Sequence, residues 1–224
     1  MIRKNIILLS FIFGIPFFTL AQHINKRPPL VDLQEIKEIT VFYPSSRIEV
    51  VGKGMEQMHY DSASFLSATL NLDIIHDKKD IFEQVYFYPK EDIPAYDLFT
   101  LDLMELAKKT SSGAPFEDLR VSPSLYSLME NLDTRFSMLI YHDGFVRKKG
   151  NMTGEMFKSI GIGVATMENY APIPVSYVSN VFIFIMDREL GHAVLAKKYE
   201  GDEIHPLKKK TLAKQYKYLF KDFN

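Results

Sequence analysis

Asp73, His76, Asp77 and Asp80 stand at helical spacing and would share one face of a helix running through them. Carboxylates with one imidazole can hold a divalent ion. A catalytic zinc usually draws on more histidines than this, and Lys78 and Lys79 lie in the same stretch to balance the charge. The cluster therefore reads as a solvated helix end. His142-Asp143 offers a base beside an acid, but neighbours on a strand point to opposite faces, so the pair reads as a strand-end turn. His59-Tyr60-Asp61 has better geometry, yet Asp61 is wanted as the cap of the helix that follows. Gly161-Ile162-Gly163 is a fragment of a dinucleotide loop without its third glycine and reads as a connector; Asn151-Met152-Thr153 matches a glycosylation sequon. No nucleophile elbow, P-loop, His-Glu-x-x-His or kinase set occurs. The chain has no cysteine, which removes thiolate catalysis, disulfides, Cys-ligated metals and lipidation at sulfur. No catalytic residue, cofactor or metal ligand is expected.

The most legible surface is at the carboxyl end. At about 100° per residue, Lys210, Lys214, Lys217 and Lys221 fall on one side of a terminal helix. Leu212, Tyr216, Leu219, Phe220 and Phe223 fall on the other. One reading is a core-packed helix with a wet lysine face. The other is a docking stripe for anionic lipid, lipopolysaccharide or an acidic partner. The formal net charge of the whole chain is -1, so no nucleic-acid partner is expected.

The amino terminus carries an address. Arg3 and Lys4 precede an apolar run, Ile6–Phe18, broken by Gly14 and Pro16 and followed by Thr19-Leu20-Ala21. This is the layout of a secretory signal peptide cut between Ala21 and Gln22. The run is short for a membrane-spanning helix, which needs about 20 apolar residues. Cleavage removes two basic residues and no acidic one, so the mature chain is net acidic. The expected compartment is periplasmic or outer-membrane-associated, without a lipid anchor.

These surfaces need a scaffold, and 224 residues at 46% hydrophobic content can bury a core without staples. After a linker at 22–35, β-prone runs at Ile36–Tyr43 and Arg47–Val51 precede a helix over Ser62–His76, with Ala63, Leu66, Leu70 and Ile74 as its apolar stripe. A strand at Val85–Tyr88 and a helix at Asp97–Lys109 follow, the latter with Phe99, Leu103 and Leu106 on one face. Ser122-Pro123 starts another helix. Phe136–Tyr141 is a strand, Arg147–Gly150 reads as a turn, and Met156–Val178 stays ambiguous between helix-loop and strands. Tyr177–Met186 is apolar on both faces, as a central strand is. The turn 187–191 leads to a hairpin partner at Ala193–Tyr199, and Pro206 opens the terminal helix. The pattern predicts one α/β domain over 36–224, a mixed sheet with helices packed on it, ending in a β-hairpin and a helix.

Ile39–Tyr43, the helix Ser62–Ile75, Gly144-Phe145, Asp187, Gly191 and the closing helix Leu207–Phe220 occur in an order that resembles a known group. It is the α/β domain shared by the curli-secretion lipoproteins and the amino-terminal domain of the Tol-system propeller protein. Two features depart from that group: no cysteine is present for acylation, and Leu190-Gly191 replaces its Thr-Gly pair. The resemblance implies an envelope protein that works through assembly and binding.

The function expected from the sequence is thus an exported, non-enzymatic envelope protein, self-associating or docking on a secretion or assembly partner, with an anionic membrane surface as a second candidate. The rival readings are a secreted hydrolase using Asp and His side chains, and a small-ligand binder using aromatics such as Phe82, Tyr86 and Tyr88.

Overall fold

The computed structural model describes residues 23–24, 28–51, 57–59, 61–147 and 176–223. The expected signal peptide with its Ala21–Gln22 junction, the sequon, the Gly161-Ile162-Gly163 connector and nearly all of Met156–Val178 lie outside them. The described strands are β1 (His23–Ile24), β2 (Glu38–Phe42), β3 (Ser45–Val51), β4 (Gln57–His59), β5 (Gln84–Tyr88), β6 (Phe136–Arg147), β7 (Tyr177–Asp187) and β8 (His192–Asp202). The helices are α1 (Asp61–His76), α2 (Tyr96–Ser111), α3 (Pro123–Glu130) and α4 (Lys209–Leu219). This is the mixed α/β sheet that the apolar periodicities demand, closed by a hairpin and a terminal helix.

The strands run in the order β1-β8-β7-β6-β2-β5, with β3 also on β6 and β4 on β3. β2 is parallel to both β5 and β6, whereas β6, β7 and β8 form an antiparallel meander. β2 and β3 share one edge of the long β6. Val41 lies opposite Met138 and Ser45 opposite Tyr141, so the β2–β3 side carries one extra residue. Pro44 falls in that irregularity, the place in a sheet where a missing N–H costs no ladder bond.

β7 is central, and its two faces feed two cores. Val181, Ile183 and Ile185 pack with Ile39, Ile140, Ile75, Leu212 and Tyr216 under α1 and α4. Phe182, Phe184 and Met186 pack with Phe42, Leu139, Phe99, Leu103 and Met129 under α2 and α3. The Ser122 hydroxyl caps α3 by accepting from Leu125 N–H at 3.3 Å, as the Ser-Pro signal predicts.

Four expectations need correction. Asp61 is the first residue of α1, not its cap. The buried face of α1 is Ser64, Ser67, Ala68, Asn71, Ile74 and Ile75, while Leu66 is 46% exposed. The polar members of that face are satisfied internally, so the helix turns away from the apolar stripe. β6 does not stop at Tyr141 but runs on through His142-Asp143 and Gly144 to Arg147, because β3 and β7 supply ladder partners on both sides. The terminal helix begins at Lys209, not at Pro206.

The residues behind the family resemblance have structural roles. A Cβ on Gly144 would lie 2.1 Å from the Val178 carbonyl oxygen, so no larger residue fits there. Gly191 has φ +70°, which suits glycine. Asp187 is fully buried at the end of β7, where it accepts from Arg135 at 2.6 and 3.0 Å and from Glu189 N–H at 2.8 Å.

Candidate functional site

The lysine row on α4 is held in place by three groups of buried polar contacts. Gln215 Nε2 donates to the Ser179 carbonyl at 2.8 Å, and its Oε1 accepts from the Ser179 hydroxyl at 2.8 Å. Tyr216 O–H donates to Asn71 Oδ1 on α1 at 2.8 Å. Lys197, buried on β8, donates to the Leu219 carbonyl and to Asp222 Oδ2, each at 2.9 Å. A cation at the last turn of a helix meets the negative end of its dipole, and the same cation holds the Asp222 carboxyl below its usual range. Leu212, Tyr216, Leu219, Phe220 and Phe223 are buried on the inner side. The rotation of α4 is thereby set, and Lys210, Lys214 and Lys217 are exposed on its outer side; α4 ends at Leu219, so Lys221, also exposed, lies beyond it in a 3-10 turn rather than on the expected helix face. From Lys210 to Lys217 the helix rises by about 10 Å, at 1.5 Å per residue. Lys209 is turned elsewhere, 3.1 Å from Asp77 and 3.8 Å from Asp73.

That pairing also accounts for two members of the metal-like cluster, Asp73 and Asp77. α1 ends at His76, whose ring stacks on Phe87 at 5.4 Å, and the two carboxylates are met by Lys209 from α4 rather than by Lys78 and Lys79. Among the described residues no group of three or more His, Asp or Glu is placed to hold a metal ion. Phe82, Tyr86 and Tyr88 do not converge either. Phe82 packs edge-on against Phe223 in one core, Tyr88 stacks on Phe42 in the other, and Tyr86 is exposed.

His142 is the centre of a network that sequence reasoning missed. It is 0% exposed, and burial pushes its pKa down to about 3. Its tautomer follows from its neighbours. The Ser179 hydroxyl proton is spent on Gln215, so the Ser179 oxygen must accept from His142 Nε2–H at 2.9 Å. Asn71 Nδ2 is 2.8 Å from the Ser67 carbonyl, to which it donates, and 3.0 Å from His142 Nδ1. Nδ1 is thus the acceptor, with the Ser67 hydroxyl also 2.7 Å away. Both ring nitrogens are engaged and the ring is neutral and shut from solvent: a structural group, not a base for hydrolysis. The signal in the sequence was the helical spacing of Ser64, Ser67 and Asn71, which is polar where a core face is wanted.

Asp143 faces the other side of the sheet, as strand alternation requires. It is not part of a turn. It lies opposite Arg47 and Asn180 on the neighbouring strands. Burial raises its carboxyl to about 6, tempered by a hydrogen bond to Asn180, and its Oδ1 has no hydrogen-bond partner.

The sequence matches no family model, and no curated protein matches it. Among solved structures, the PelC dodecamer from Paraburkholderia phytofirmans is similar at 10% identity and a TM-score of 0.38, over 91% of this chain and 97% of that one. A second PelC dodecamer from the same organism gives a TM-score of 0.34 at the same identity and coverage. A likeness of that size assigns neither a family nor an activity. Among the described residues no helix is long and apolar enough to cross a membrane.

Proposed function

We propose that this chain is an exported, non-enzymatic envelope protein that acts by docking, with the α4 lysine row as its contact to an anionic surface. The observation that carries the reading is the fixed rotation of α4. Gln215, Tyr216 and Lys197 lock its inner side, so Lys210, Lys214 and Lys217 form an outward row on a fixed helix, with Lys221 in the turn that follows. A row of cations on a rigid helix loses little entropy when it meets phosphate or carboxylate groups. The signal-like amino terminus and the resemblance to envelope assembly domains support the same reading, with self-association or an assembly partner as the further expectation.

Each near-surface lysine contributes about 1 kcal/mol toward an anionic membrane, so replacing three should weaken binding on the order of a hundredfold. The test is co-sedimentation with vesicles of phosphatidylcholine alone and of phosphatidylcholine mixed with phosphatidylglycerol. Binding is expected only to the mixed vesicles, and it should be lost both on raising the salt and in the variant carrying Lys210→Gln, Lys214→Gln and Lys217→Gln. The variant should keep its melting temperature, because exposed charges contribute only about 0 to 1 kcal/mol each. Undiminished association of the triple variant at high salt would refute the proposal.

A further inference from the structure

A second feature lies on different elements and does not depend on the docking reading. β2 and β5 are parallel neighbours, but the helices that follow them cover opposite faces of the sheet. α1, reached from β2 through β3 and β4, packs into the core with α4. α2, which follows β5, packs into the core with α3. In open sheets such a reversal leaves a crevice beyond the carboxyl ends of the strands, where ligands bind. Here the crevice is a cleft of about 700 Å³ whose walls include Tyr43, Arg47, Phe65, Lys90, Tyr96 and Asp97. A neighbouring hollow of about 370 Å³ shares Tyr43, Phe65 and Lys90 with it. Phe65 is 59% exposed and lines both hollows.

The rings are held before any ligand arrives. Tyr96 O–H donates to the Pro44 carbonyl at 2.8 Å, and the Tyr43 and Tyr96 rings meet edge to face at 6.1 Å. The Ser45 and Thr100 hydroxyls bond at 2.8 Å beneath them. Lys90 Nζ lies 4.5 Å from the Tyr96 ring centre and 6.0 Å from that of Phe65. The charges balance: Arg47 is paired with Glu49 at 3.3 Å, which leaves Lys90 and the two helix amino ends against Asp61 and Asp97. Both acids sit in first helical turns, where they offset the positive ends of the helix dipoles. The cleft therefore favours neither an anion nor a cation. It offers flat apolar rings beside both donors and acceptors.

We infer that this cleft binds a neutral saccharide. The apolar C–H face of a pyranose ring packs on Phe65, and its hydroxyl rim meets Arg47 and Lys90 as donors and Asp97 as acceptor, the mixture of apolar wall and few polar anchors that small-ligand sites use. The two hollows that Phe65 lines make room for more than one sugar unit. Titration calorimetry of the full chain with cellotriose, maltotriose and triacetylchitotriose tests this. At least one should give saturable binding at millimolar or lower concentration. Phe65→Ala should weaken it about tenfold or more, the scale of one lost anchoring ring, and Asp97→Asn should weaken it too. Phe65 is exposed, so Phe65→Ala should melt with the wild type, and Asp97→Asn should melt only slightly lower, through its lost contact with the helix dipole. No saturable binding by any of the three sugars, or binding that Phe65→Ala leaves unchanged, would overturn the inference.

Discussion

Acidification should separate the two titratable groups that β6 buries on opposite faces. His142 ordinarily titrates at 6.5 and is pushed to about 3 by complete burial. Between those values the unfolded chain binds the proton and the folded one does not. Its contribution is therefore fully present above pH 6.5 and is lost as the pH falls toward 3. At 1.36 kcal/mol per pH step, the loss is about 2 kcal/mol at pH 5 and about 4 to 5 kcal/mol by pH 3. Asp143 works in the opposite sense. Its carboxyl is raised from 3.8 to about 6, so the folded chain holds the extra proton and gains stability as the pH falls through that window. Partial solvent access holds that gain to about 1 kcal/mol at pH 5. Urea unfolding at pH 7 and pH 5 should thus show a shallow dependence for the wild type. Asp143→Asn should lose about 2 kcal/mol over the same interval, exposing the histidine. Adding His142→Gln, which keeps a donor toward Ser179, should abolish that loss whatever its cost at pH 7. Equal pH slopes for the Asp143→Asn chain with and without His142→Gln would refute the neutral, structural assignment of His142. So would an imidazole that titrates near its ordinary value by NMR.

Two further outcomes test the packing. Gly144→Ala places a methyl against the Val178 carbonyl oxygen, a backbone atom that cannot yield, and should lower stability by about 3 kcal/mol or more in urea titration. Leu219→Ala removes a fully buried side chain that seats α4, and calorimetry should show a loss of about 2 to 4 kcal/mol.

Periodicity was sufficient wherever one residue's neighbours along the chain decide its environment. The lysine and apolar sides of α4, the Phe99, Leu103 and Leu106 face of α2, the Ser122-Pro123 start of α3 and the two-faced apolar run of β7 could all be read directly. Helix and strand repeats are local properties, and burial follows them. Tertiary structure alone decided the rest. The Ser67 and Asn71 face of α1 is buried because His142, some seventy positions later, arrives beside it on β6. β6 continues past Tyr141 because β3 and β7 pair with it on both sides. The saccharide cleft joins residues from the β2–β3 junction, α1, the segment after β5 and α2, and it exists only because the helices following β2 and β5 pass to opposite faces of the sheet. Side-chain repeats specify which way a residue points, but the partners it meets are set by strand order and register, which involve segments distant in the chain.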